Sequence, residues 1–181
     1  MHRLEDRTDE ALVELAVRGE AGSFAMLVAR HRQRAIRIAY GIVHNPSDAE
    51  DAVQDAFIRA YRGLARFRGA ARFSSWIYRI VVNESVRMVR GRHSTVENVD
   101  LDAQCASDEH MDTERVLMVR ECLASLPDKL RVVLALRGEE DLDYSDIAEI
   151  LSIPVGTVRS RLHEARMLFA RCWKEAMKDE V

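Results

Sequence analysis

The stretch Tyr144-Ser145-Asp146-Ile147-Ala148-Glu149-Ile150-Leu151-Ser152-Ile153-Pro154-Val155-Gly156-Thr157-Val158-Arg159-Ser160-Arg161-Leu162 reads as a helix-turn-helix with arginines on the free face of its second helix. Ile147, Ala148, Ile150 and Leu151 give a short amphipathic first helix. Ser152 to Pro154 interrupt it, and Pro154 suits the first turn of a new helix, where its missing N–H would be unpaired anyway. Val158, Leu162, Ala165 and Phe169 then recur at steps of three and four, which buries one face. The opposite face carries Thr157, Arg159, Ser160, Arg161, His163 and Arg166. A helix entering the major groove needs such side chains for phosphates and base edges. The competing reading is a helical hairpin whose basic face is merely solvated.

At 181 residues the chain can hold one ordinary domain or two small ones. Three prolines and eight glycines argue against a many-turned β fold, and no run alternates with period two. The predicted class is all-α. A net charge of −3 does not suggest a nucleic-acid binder, but the distribution does. Between Arg66 and Arg92 stand Arg66, Arg68, Arg72, Arg79, Arg87, Arg90 and Arg92 against Glu84 alone. From Glu97 to Glu114 only acids occur, and Arg159, Arg161, Arg166, Arg171 and Lys174 then restore a basic helix. Two basic helices separated by an acidic spacer fit two DNA contacts on one flexible chain.

No apolar run reaches the length of a membrane span, and the N-terminal residues lack the apolar core of a signal peptide. The expectation is a soluble, cytoplasmic protein. Cys105, Cys122 and Cys172 are odd in number and scattered, so reduced thiols without a role are expected. Their spacing with His110 matches no zinc pattern, and no metal or cofactor is expected.

Thr8 with Asp9 and Glu10 looks like the start of a helix running to about Val17. A long amphipathic helix spans Ser23 to Val43, with His31, Arg32, Arg34 and Arg37 mostly outward. Asn45-Pro46 breaks it. Ser47 with Glu50 predicts a capping box for a third helix ending near Leu64. Ser74 or Ser75 is expected to cap a fourth helix ending near Gly91. From His93 to Met111 no period is visible, which marks an acidic, mobile linker. The predicted organisation is a first domain over 1–93, a linker over 94–111 and a second helical domain over 112–181, where Leu126-Pro127-Asp128 marks a stop and restart.

Three further segments resemble one family. Asp48-Ala49-Glu50-Asp51-Ala52-Val53-Gln54-Asp55-Ala56-Phe57-Ile58-Arg59-Ala60-Tyr61 looks like the region 2.2 helix of bacterial sigma factors. Phe67-Arg68-Gly69 through Phe73-Ser74-Ser75-Trp76-Ile77-Tyr78-Arg79-Ile80-Val81-Val82-Asn83 looks like regions 2.3 and 2.4. Leu126-Pro127-Asp128-Lys129-Leu130-Arg131-Val132-Val133 followed by Tyr144 to Arg166 looks like region 4. With no room for region 3, the chain resembles the extracytoplasmic-function group. The resemblance implies a factor that brings RNA polymerase core to promoter DNA and promotes its opening. It also implies an anti-sigma factor as partner.

The residue chemistry agrees with those roles. Asp48, Asp51, Gln54 and Asp55 form an acidic helix edge that repels phosphate, and the resemblance assigns it to the polymerase clamp helices. Arg68, Phe73, Trp76, Arg79, Asn83 and Arg87 combine aromatics for stacking on unpaired bases with arginines for a single strand. By resemblance they serve the minus-ten element, with Asn83 lining a base pocket; Trp76 also has a reading as mainly core. On the recognition helix, Arg159, Ser160 and His163 are assigned to base edges, and Thr157, Arg161 and Arg166 to phosphates. Glu164 stands where many relatives carry a basic residue, and a carboxylate can accept from cytosine N4. A self-sufficient helix-turn-helix regulator is the main alternative, but it leaves the Arg66–Arg92 segment unassigned. Catalysis is not expected: there is no Gly-rich phosphate loop, clustered His ligands or Ser/His/Asp arrangement.

Overall fold

The computed structural model describes residues 6–95 and 110–178 except Arg68, Ala70 and Glu140, with the backbone alone for 93–95 and 110–114. Among them are eight α-helices and no strand. These are α1 (Asp9–Val17), α2 (Ser23–Val43), α3 (Pro46–Gly63), α4 (Phe73–Thr95), α5 (His110–Ala124), α6 (Asp128–Arg137), α7 (Tyr144–Leu151) and α8 (Val155–Ala176). A 3-10 turn, Leu64–Arg66, extends α3. The all-α class is as read from the sequence. The linker expected over 94–111 lies outside the described residues apart from its helical ends.

In the first unit α2, α3 and α4 pack mutually and α1 closes against α2. The reason lies in small residues at helical spacing: Ala49, Ala52, Ala56 and Ala60 on α3 are fully buried, as are Ala35 and Ala39 on α2. They let the helix axes approach while Leu12, Leu27, Ile38, Ile42, Ile77 and Tyr78 fill the space between. In the second unit α6, α7 and α8 surround Leu130, Leu136, Ile147, Ile150 and Leu162.

Side-chain capping explains three of the helix starts. Thr8 accepts from the Ala11 N–H, as its sequence position predicts. Asn45, not Ser47, caps α3: its side chain accepts from the Asp48 N–H at 3.1 Å. The residue before a proline is pushed to extended backbone, which is the N-cap conformation, so Pro46 opens the helix earlier than the capping-box pattern suggested. Helix α4 begins at Phe73 and runs to Thr95, which places Ser74 and Ser75 inside its first turn rather than at its cap. A full capping box appears at α7, where Asp143 and Asp146 each accept from the other's backbone N–H.

Two further expectations are corrected. His31 points inward: its Nε2–H donates to Asp9 at 2.7 Å, and its Nδ1 lies 3.0 Å from the Tyr78 hydroxyl. Its ring also packs against Phe73. Position 31 falls between Leu27 and Ala35 on the buried stripe, so the hydrogen-bond partners brought by α1 and α4 decide its direction. Cys122 and Cys172 are not free thiols but form a disulfide between α5 and α8, with Cα atoms 5.6 Å apart. Fifty residues separate them, and only the α5–α8 packing reveals the pair. Cys105 and the side chain of His110 lie outside the described residues, and no cluster able to hold a metal ion occurs among those described.

Candidate nucleic-acid and polymerase interface

In the second unit α8 buries the face that its sequence period marks as apolar. Val158, Leu162 and Ala165 are buried, which turns Arg159, Ser160, His163 and Arg166 to the surface with Thr157 and Arg161 half-buried at the margins. The Arg159 guanidinium lies 5.9 Å from the centre of the Tyr144 ring, so the first helix of the motif supports it. The Ser160 hydroxyl donates to the Thr157 carbonyl at 3.1 Å, within its own helix. Glu164 is exposed among these groups. The turn between α7 and α8 is made by Ser152, whose φ of 53° lies in the left-handed region and whose N–H bonds the α7 carbonyls.

Position within the motif also depends on a buried arginine that sequence reading did not single out. Arg131, 5% exposed, donates to the carbonyls of Leu123, Ala124 and Leu126 at 3.2, 3.0 and 2.9 Å. It thereby caps the C-terminal end of α5, where orphan carbonyls need donors. The residue sits in a run of aliphatics, and that interruption was the available signal.

On α4 the stripe Arg79, Asn83 and Arg87 lies on one side as four-residue spacing requires, but the three differ in environment. Asn83 is exposed. Arg87 pairs with Glu84 at 2.5 Å and with Asp55 of α3 at 3.5 Å. Arg79 is covered by α7: its guanidinium donates to the carbonyls of Ile150 at 2.8 Å and Glu149 at 2.6 Å. Phe73, 1% exposed, belongs to the core, and half-buried Trp76 packs against Phe73 and Phe67. Arg68 lies outside the described residues.

Helix α3 exposes Asp51, Gln54 and Asp55, while Asp48 is half-buried in an ion pair with Arg92. Beside this edge runs a groove of about 660 Å³ whose apolar wall includes Phe24, Val28, Val53, Phe57, Ile58 and Tyr61. Ile58 and Tyr61 are exposed, and sequence reading passed over them because they lie off the Ala52-Ala56-Ala60 stripe. An acidic edge next to apolar side chains suits a protein partner rather than DNA.

The two units touch through charge. Arg37 grips buried Glu139 with three short contacts of 2.7 to 3.1 Å, and Arg34 approaches Glu139 and Asp141. Arg72, just before α4, holds Glu149 at 2.8 Å and also pairs with Asp146. Its bond to Glu149 raises the guanidinium above its ordinary value and lowers that carboxyl in turn. Arg90 reaches Asp128 at 2.8 Å, and α6 packs on α2. At that seam sits His44, whose imidazole is held down to about 4 by burial and by the neighbouring Arg131 and Arg120 guanidinium groups. Its Nε2 meets no hydrogen-bond partner among the described residues.

A pH dependence follows. The native state disfavours protonated His44, so its contribution is intact above pH 6.5 and is lost as pH falls from 6.5 toward 4. Partial solvent access reduces the effect, leaving a loss of about 1–2 kcal/mol between pH 7 and pH 5. Urea midpoints at the two pH values measure it. His44→Asn, which also tolerates the left-handed backbone found there, should flatten the difference, and an unchanged difference would exclude His44 as its source.

Residues 27–95 match the family Sigma-70 region 2, and residues 117–168 match Sigma-70, region 4. The RNA polymerase sigma-H factor of Pseudomonas aeruginosa is 36% identical over 178 residues, covering 90% of this chain and 92% of that protein. ECF RNA polymerase sigma-E factors of Haemophilus influenzae and Escherichia coli K12 are each 36% identical over 177 residues, covering 90% of this chain and 93% and 92% of theirs. Among solved structures, CnrH in complex with the cytosolic domain of CnrY has a TM-score of 0.70 at 23% identity, over 92% of this chain and 97% of that one. The sigma factor RpoE in complex with the anti-sigma factor NepR from Bartonella quintana has a TM-score of 0.65 at 21% identity, over 85% and 98%. Both share the fold. The chain belongs to the sigma-70 family, in its extracytoplasmic-function group. It is an initiation factor of transcription, not an enzyme.

Proposed function

We propose that this chain directs RNA polymerase core to its promoters through three surfaces: the acidic edge of α3 for core, the α4 face for the minus-ten element, and α8 for the minus-thirty-five element. The observation that carries the reading is the pairing of one exposed basic recognition helix with a separate acidic, apolar-flanked helix edge on a single chain. Asp48, Asp51, Gln54 and Asp55 engage core. Arg68, Arg79, Asn83 and Arg87 serve the minus-ten strand directly, while Phe73 and Trp76 hold the start of α4 from inside. The reading as a stand-alone regulator is not favoured, because it leaves the match over residues 27–95 without a role.

An anti-sigma factor is the expected regulator, supported by the two fold neighbours, each solved with a partner on it. The site of action is the cytoplasm, where core polymerase works; no described helix is long and apolar enough to cross a membrane.

Two substitutions on α8 test the assignment. Arg161→Ala should lower promoter use evenly across sequences, because a phosphate contact carries no sequence information. Arg159→Ala should relax preference at one minus-thirty-five position, at about 1–3 kcal/mol if its contact with guanine is bidentate. Transcription by holoenzyme from a library randomised in that element reads both. Uniform loss from Arg159→Ala would move that residue to the phosphate group.

A further inference from the structure

Glu84 is the single acid among the arginines of the run from Arg66 to Arg92. It is also buried, at 6% exposure, in the seam where α4 packs on α3. Charge pairs mark that seam along its length: Asp48 with Arg92, Asp55 with Arg87, and Arg59 with Glu84. In the first two pairs α3 supplies the carboxylate and α4 the guanidinium. At the third the signs are exchanged. The exchange brings a cation of α3, Arg59, to the level of Asn83 and Arg87, the exposed part of the stripe read for the minus-ten strand.

A buried carboxylate is costly unless charged partners satisfy it. Glu84 has two, one on each oxygen. The Arg59 Nε lies 2.9 Å from Oε1, and Arg87 holds Oε2 through Nε at 3.0 Å and Nη2 at 2.5 Å. The carboxylate is inside, yet about half of each arginine side chain meets solvent, 52% for Arg59 and 61% for Arg87. A guanidinium carries five N–H donors, and one carboxylate engages only some of those on two arginines. Anchored in this way, the two forks lose less side-chain freedom when they meet an outside acceptor. Arg87 also reaches Asp55 at 3.5 Å, and that carboxylate is one the core reading gives to polymerase. Phosphate suits a guanidinium fork, and a nucleic-acid strand presents phosphates in series.

We propose that Arg59 is a phosphate contact to the promoter strand opened at the minus-ten element, that it acts as a pair with Arg87, and that Glu84 is the positioning residue that holds both. This rests on the minus-ten reading of α4 and extends it across the seam onto α3. The pair reads no sequence, since a phosphate is the same at every position; it sets the register in which Asn83 meets a base.

The test uses holoenzyme, with core in excess, and a labelled promoter fragment premelted over the minus-ten element. Affinity is measured over a series of salt concentrations, because each phosphate contact adds to the salt slope. Arg59→Gln keeps a donor for buried Glu84 and removes the charge. It should bind core as wild type does and hold DNA about tenfold less tightly, the low end for a hydrogen bond to a charged group. Its salt slope should be smaller by about 0.7–0.9. Arg59→Lys keeps the charge and should restore the slope. Glu84→Gln leaves both cations in place but unanchored. DNA affinity should fall with the slope retained, and adding Arg59→Gln should then cost less than it does in wild type. DNA affinity and slope left unchanged by Arg59→Gln would overturn the contact. A loss of core affinity with the slope intact would assign Arg59 to polymerase and overturn it equally. Tighter DNA binding by Glu84→Gln would mark a carboxylate that opposes DNA, and the positioning role would fall. Arg87→Ala separates the pair from the reading beneath it. A smaller slope there, with none for Arg59→Gln, sinks the pair alone, whereas no change in either takes the α4 assignment down as well.

Discussion

Removing the Cys122–Cys172 bond is expected to lower the stability of the helix-turn-helix unit by about 4 kcal/mol, from the loop-closure entropy of a cross-link spanning 50 positions. The closed loop contains α6, α7 and most of α8, so the helix proposed to read the promoter is the one tied. Toward the far end of α8, which packs on α5, Met167 is exposed and Leu168, Phe169 and Trp173 are half-buried. At the other end of the bond Cys122 is fully buried, and the Ser125 hydroxyl donates to its carbonyl. Urea unfolding of the full chain with and without reductant measures the effect. Cys122→Ala combined with Cys172→Ala should abolish the response to reductant. A midpoint that reductant leaves unmoved in the wild type would mean that the bond does not form in solution.

Secondary structure was largely legible, because it is written in local periods. The bounds of α2 coincide with the predicted Ser23 and Val43, and Thr8 caps α1 as its acidic successors suggested. Where two local signals competed, the stronger backbone constraint won: Asn45 before Pro46 set the start of α3, and the Ser47/Glu50 pattern was a coincidence of composition. The faces of α8 were also readable, since burial of Val158, Leu162 and Ala165 fixes what lies opposite.

What the sequence withheld is long-range and polar. Arg37 and Glu139, Arg72 and Glu149, and Cys122 and Cys172 are separated by fifty residues or more, and nothing local marks either partner. Each alone looks like an ordinary surface charge or a free thiol. The same cause hid His31, whose inward direction depends on Asp9 and Tyr78 arriving from other helices. Arginines read as free for DNA, Arg79 and Arg87, were thus found with partners within the chain.

Asp51→Arg together with Asp55→Arg should weaken association with polymerase core by about 2–5 kcal/mol, roughly thirtyfold or more, because like charges brought together across an interface cost several kcal/mol. Both side chains are exposed, and the only described pair they give up is the 3.5 Å contact between Asp55 and Arg87, itself at the surface. Exposed pairs of this kind are worth little, so circular dichroism should show an unchanged fold. The adjacent groove along Phe24, Val53, Phe57 and Tyr61 keeps its apolar wall, which isolates charge from hydrophobic contact. A fluorescence titration of labelled chain with core gives the affinity. The deficit should shrink as salt is raised from low to physiological levels, since repulsion between exposed charges is screened over about 8–10 Å. A salt-independent deficit would instead point to lost packing, and equal affinity of variant and wild type would remove this edge from the polymerase contact and shift attention to Ile58 and Tyr61.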